Sequence, residues 1–126
     1  MGRKRIAVYG SLRVGEYNFQ RFVDNYGESS IKPLAQDINI EGFDLFDLGP
    51  YPAISRGKNN LVIDVLSVSE NVFYAIDSME LGAGYHRDTV KVPKYGEITI
   101  YAFPEKSFPD SRLVVSGNWS EYLKTK

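Results

Sequence analysis

The sequence has no cysteine and a single histidine, His86. The first absence excludes disulfides, thiolate metal sites and a cysteine nucleophile, and leaves the fold to hold by packing alone. The second leaves no histidine pair, which argues against a zinc or iron centre. Charge of one sign is lacking too: 15 Lys and Arg stand against 16 Asp and Glu, a formal net charge of -1. No broad field therefore draws nucleic acid or an anionic membrane, and neither is expected as a partner. No apolar run reaches the length of a membrane span or a signal peptide. Ile6 stands where a myristoylation signal wants Ser or Thr. The expectation is a cytoplasmic protein, a monomer or weak dimer, that recognises its ligand locally.

What the sequence does contain is enough apolar residue, 43% of 126, for one compact core. A single domain over residues 1–126 is expected, without repeats or linkers. KRIAVY, residues 4–9, reads as a β-branched strand that Gly10 ends. Phe19, Phe22 and Val23 fall at i, i+3 and i+4, so a short helix is predicted from an Asn18 N-cap to about Tyr26, closed by Gly27. Residues 31–46 read as extended, with Pro33 marking an edge and Gly42 a bend. LGPYPAISRGKNN, residues 48–60, is rich in Gly, Pro and Asn and is predicted to be a loop. LVIDVLSV, residues 61–68, is the clearest buried strand.

Ser69 then caps a second helix, ENVFYAIDSMEL, whose Val72, Phe73, Ile76 and Met79 trace one face. Gly82 and Gly84 end it. YHRDTVKV and EITIYAF flank PKYG as an antiparallel hairpin. SGNWSEYL closes the chain in a turn and two aromatics. The class predicted is α+β, a small mixed curved sheet or barrel with two short helices.

Which of these residues could do chemistry? Glu80 lies seven residues after Phe73 and four after Ile76, which aims its carboxylate near the buried face of the second helix. A carboxylate there is costly unless it is paired, hydrated or useful. The alternative is a rim residue at a frayed helix end. His86 falls in phase with Asp88, Val90 and Val92 and reads as structural. A Ser11–His86 hydrolase pair lacks the glycine-x-serine-x-glycine elbow around Tyr9-Gly10-Ser11-Leu12-Arg13. GSLRVG, residues 10–15, is no P-loop, since Glu16 and Tyr17 follow Gly15 where lysine and a hydroxyl are required. It is either an ordinary turn or a strand end whose backbone N–H groups cradle a carboxylate or oxyanion.

Four pieces in order resemble the gamma-glutamylcyclotransferase-like family, which includes the AIG2-like and gamma-glutamylamine cyclotransferase proteins. They are Val8-Tyr9-Gly10-Ser11-Leu12 with Gly15 and Asn18; Gly49-Pro50-Tyr51-Pro52-Ala53-Ile54; Ile76-Asp77 with Glu80, Tyr85, Arg87 and Val90; and Ser116-Gly117-Asn118-Trp119 with Tyr122. Relatives often place a Gly-Glu pair in the strand that here reads Leu61-Val62-Ile63-Asp64-Val65-Leu66, and Leu81 displaces a glycine usual after the catalytic glutamate.

The resemblance implies a cofactor-free cyclotransferase whose small-molecule gamma-glutamyl substrate closes on its own α-amine to give 5-oxoproline. It implies Glu80 as the proton shuttle, and Tyr9, Gly10, Ser11, Leu12 and Tyr85 as the substrate-binding residues. The N–H groups of the opening loop would hold the glutamyl portion or its oxyanion. Tyr85 would either line the pocket, donate a hydrogen bond or be structural. Arg87 is left to pair with Asp77 or Asp88 or to orient Glu80, and Trp119 reads as a core plug. A noncatalytic small-molecule binding domain that keeps the same pocket is the alternative.

Overall fold

The computed structural model describes residues 2–103 and 108–126. Five strands, β1 (Lys4–Val8), β2 (Ile31–Asp47), β3 (Pro52–Val68), β4 (His86–Val92) and β5 (Gly96–Ala102), form one mixed curved sheet in the order β2-β3-β1-β5-β4. The helices are α1 (Tyr17–Tyr26), α2 (Glu70–Gly82) and α3 (Trp119–Thr125). β1 runs antiparallel to β3, with Lys4 opposite Val68 and Val8 opposite Asp64, and parallel to β5. The predicted α+β class with a mixed curved sheet is what forms. Among the described residues no helix is long and apolar enough to cross a membrane.

Two expectations need correction. Residues 52–60 are not loop: β3 begins at Pro52 and pairs with β2 from Asp47 opposite Pro52 to Ile31 opposite Val68. The breakers are absorbed because a long hairpin arm needs them. Gly57 takes the Asp44 carboxylate against its own backbone, where any Cβ would overlap it, and Asp44 accepts from Asn59 Nδ2 at 2.7 Å. Only the turn between Asp47 and Pro52 remains, with Gly49 at φ +98°. The second correction is a third helix. Asn118 caps α3 by accepting from Glu121 N at 3.2 Å, and seven residues are too few for a periodic signal.

The Pro33 and Gly42 signals hold: β2 is an edge strand, and its register shifts between Glu41 and Phe43, where Gly42 takes φ +100°. Ser69 caps α2 as expected, accepting from Val72 N at 3.3 Å.

Alternation along the strands sorts the core into two clusters. Ile6, Val8, Leu66 and Val68 face α1 and α2, packing on Phe19, Phe22, Val72 and Ile76. Ala7, Tyr9, Ile63, Val65 and Ile100 face the other way, toward Leu45, Ile54 and Trp119. Trp119 is a core plug, as its place in the sequence suggested. The curl of the sheet brings the start of β3 back to the end of β5, where Phe103 N donates to Ile54 O at 3.2 Å. Where β1 ends, the sheet, α1 and α2 leave a gap.

Candidate active site

That gap is a cavity of about 340 Å3. Its floor is the end of β1 and the opening loop, Ala7 to Leu12; its walls are Tyr51, Pro52, Tyr85 and Tyr101; and Met79, Glu80 and Ala83 enter from α2. The structure therefore brings Glu80, Tyr9, Gly10, Ser11, Leu12 and Tyr85 together, although Glu80 lies some seventy residues from the loop. His86 lies elsewhere, on a second cavity with Arg56 and Asp88, so no Ser11–His86 pair exists.

The loop takes its shape from a few backbone bonds. Arg13 N donates to Gly10 O at 3.0 Å, and Gly15 reverses the chain at φ +86°. Gly10 is required for a close approach rather than for its φ: a Cβ there would stand 3.0 Å from Pro52 Cγ. The expected Asn18 N-cap is a correction. α1 begins two residues earlier, at Tyr17, with Glu16 at the cap position making no side-chain bond. Ser11 O does the capping, accepting from Asn18 N at 3.0 Å and Phe19 N at 3.1 Å. That frees the Asn18 side chain to line the cavity and donate to Ser11 Oγ at 2.7 Å. Among the described residues nothing in the protein accepts from the N–H groups of Ser11 and Leu12. Two backbone donors of the opening loop, both from cavity-lining residues, thus remain open to a ligand.

Three tyrosines surround Glu80, and their hydroxyl protons are already committed. Tyr9 donates to Tyr101 O at 2.7 Å, Tyr85 to Pro52 O at 2.5 Å and Tyr101 to Asp77 Oδ1 at 2.8 Å. A phenol has one proton to give, so in this arrangement Tyr85 is a wall and not a donor to a ligand. Burial and the nearby Glu80 push all three phenols upward. Arg87 chooses Asp77, gripping both carboxylate oxygens at 2.6 and 2.8 Å, while Asp88 pairs with Arg56 at 3.0 Å.

Among the described residues none hydrogen-bonds the Glu80 carboxyl, and desolvation raises it to about 7. No other acidic side chain, and no Lys or Arg, lines the cavity among the described residues. The site combines one carboxyl poised to exchange a proton near neutrality, two free N–H donors and apolar walls.

Residues 6–121 match the family described as Gamma-glutamyl cyclotransferase, AIG2-like. The chain belongs to this family. It is 32% identical over 118 residues to the protein PH0828 of Pyrococcus horikoshii, covering 93% of this chain and 91% of that one. It is 28% identical over 116 residues to the gamma-glutamylcyclotransferase family protein YtfP of Escherichia coli K12, covering 91% and 95%. The crystal structure of PH0828 superposes with a TM-score of 0.76 over 97% of this chain and 94% of that one. An AIG2-like protein of Mus musculus shares the fold at 19% identity, with a TM-score of 0.74 over 94% and 89%.

Pattern reading passed over Asn18, Tyr51 and Tyr101 as site residues. Tyr51 had a signal, its place in the proline-rich turn. Tyr101 had none, because in a strand of the form EITIYAF it reads as core.

Proposed function

We propose that this member of the gamma-glutamyl cyclotransferase, AIG2-like family cleaves a gamma-glutamyl amide or peptide by internal cyclisation. The α-nitrogen of the substrate attacks its own γ-carbonyl carbon, forming the ring C–N bond. The bond to the original amine breaks, and 5-oxoproline and the free amine leave. The observation that carries this reading is Glu80: among the described residues the one carboxyl on the cavity wall, without a side-chain partner there and raised by desolvation to about 7.

A carboxyl with that affinity for protons takes one from the substrate ammonium, which makes the nitrogen a nucleophile. That first proton passes to solvent; after the attack the carboxylate takes a second proton from the ring nitrogen and gives it to the departing nitrogen as the tetrahedral intermediate collapses, so the ring closes as a neutral amide and the amine leaves neutral. The enzyme supplies no nucleophile; the folded pose of the substrate in the cavity supplies the rate by orientation. Because the phenol protons are spent, the developing oxyanion or the glutamyl carboxylate falls to the Ser11 and Leu12 N–H groups. Ser11 Oγ is occupied by Asn18 and has no base beside it, consistent with a binding rather than a reacting serine.

The test is incubation with a panel of gamma-glutamyl amines, amino acids and peptides, with 5-oxoproline followed by mass spectrometry. Time-dependent 5-oxoproline that needs Glu80 supports the reading. Tight binding of 5-oxoproline with no turnover on any compound would replace it with the noncatalytic binding domain.

A further inference from the structure

Behind the opening loop, on the side away from the cavity, stands a charged group for which the reaction has no use. Asp64 interrupts the apolar run of β3 and is only 1% exposed; Arg13, from the loop, is 6% exposed. Asp64 Oδ2 accepts from Val14 N at 2.8 Å, and its Oδ1 from Asp37 N at 3.0 Å and Arg13 Nη2 at 3.2 Å. Arg13 also bonds Asp37 Oδ1, and its Nη1 donates to Asn118 Oδ1 at 3.0 Å. Neither Arg13 nor Asp64 lines the cavity.

Burying an ion pair seldom adds net stability over apolar residues of the same volume, but its directed bonds can fix one geometry. Four of these five bonds end on Arg13 or Val14, the residues directly after the Ser11 and Leu12 N–H groups, and the fifth ties Asp64 to Asp37 N. The loop is held at both ends: Ser11 O is bound to the start of α1, and Arg13 with Val14 is bound to β3.

We propose that Asp64, through Arg13 and the Val14 N–H, is the positioning element that fixes the ligand-facing donors of the opening loop. The inference rests on the reading that these donors hold the glutamyl portion. It assigns Asp64 and Arg13 to substrate affinity, and leaves the proton chemistry of Glu80 untouched.

The experiment compares wild type with Arg13→Met and Asp64→Asn, using L-5-oxoproline as the binding probe and whichever gamma-glutamyl compound the wild type turns over. In folded variants, Kd for 5-oxoproline and KM rise at least about tenfold, kcat stays within about threefold, and the pH midpoint of turnover does not move. A purely structural role would lower Tm and leave Kd and KM of the folded fraction unchanged, and that result overturns the proposal. Should the single variants not fold, Arg13→Met/Asp64→Asn removes both charges while keeping an amide oxygen for Val14 N–H, and the same criteria apply. Backbone 15N relaxation of the unliganded wild type gives an independent reading. Ser11 and Leu12 are expected to be as rigid as β1, and nanosecond mobility there overturns the proposal whatever the variants do. A wild type that neither binds 5-oxoproline nor turns anything over removes the functional reading itself, a different outcome from a competent wild type matched by its variants.

Discussion

Asp77 and Glu80 sit three residues apart on α2, and their carboxyls are driven in opposite directions. The Arg87 guanidinium and the Tyr101 hydroxyl hold Asp77 below the usual carboxylate range. Glu80 has no such partner, and desolvation raises it to about 7. Two acids on one face of a helix, separated by environment alone, divide into a structural anion and a proton carrier.

Glu80→Gln keeps the size of the side chain and removes its titrating proton. The variant is expected to fold, to bind 5-oxoproline within roughly tenfold of wild type, and to lose at least about a hundredfold in turnover, the scale of general acid–base catalysis. Calorimetric binding and steady-state kinetics on the same preparation check this. Near-normal turnover in a folded Glu80→Gln protein would leave the cyclisation without its proton carrier.

The raised Glu80 carboxyl also makes two pH statements. Turnover needs the carboxylate, so kcat/KM should climb about tenfold per pH unit below 7 and level off above it. Stability runs the other way. A folded value above the unfolded one favours the folded state below the unfolded value near 4.5, and this advantage is lost as pH rises through about 7. The loss is on the order of 3 kcal/mol. Chemical denaturation at pH 5 and pH 8 should therefore show a drop in wild type that Glu80→Gln does not share. Parallel drops in the two proteins would assign it to other groups.

Gly10→Val is expected to abolish binding of 5-oxoproline. The new branched side chain must displace Pro52, whose Cγ already lies 3.0 Å from where a Cβ would stand, and with it the wall formed by Pro52 and Tyr85. Ser11→Ala should cost less than about tenfold in kcat/KM, because it removes a hydroxyl bound to Asn18 and leaves the backbone donors in place. A Ser11→Ala variant as inactive as Glu80→Gln would make the serine a reactant.

A further prediction concerns Asp47, at the end of β2 opposite Pro52. The Tyr122 hydroxyl, at 2.6 Å, lowers this carboxyl to about 2, helped by Gly49 N–H and Lys126. A depressed carboxyl stabilises the folded state above its unfolded range near 3.8, and that contribution is lost as pH falls through about 2. Tyr122→Phe should lower Tm at pH 6 while leaving activity intact, with the difference closing as pH falls toward 2. A Tm difference that persists at pH 2 would attribute the loss to packing against Trp119 instead.

The sequence by itself determined the elements whose periodicity is carried locally: the Lys4–Val8 strand, the Ser69-capped helix, the hairpin through PKYG, and the inward aim of Glu80, which follows from its spacing to Ile76. It also carried the motifs that mark the family. The tertiary structure decided whatever depends on partners distant in the chain. Residues 52–60 became strand because β2 offered them a ladder, overriding the turn preference of their Gly, Pro and Asn. Asn18 left the cap position because Ser11 O had taken that role across the loop. Arg87 could not be assigned until the fold placed it on Asp77 rather than on its neighbour Asp88. Asp64 was visible as an acid in an apolar strand, but the ion pair that makes it tolerable joins it to Arg13, fifty-one residues away. Desolvation of Glu80 is of the same kind, since a raised carboxyl is a property of the walls packed around it and no sequence window contains them.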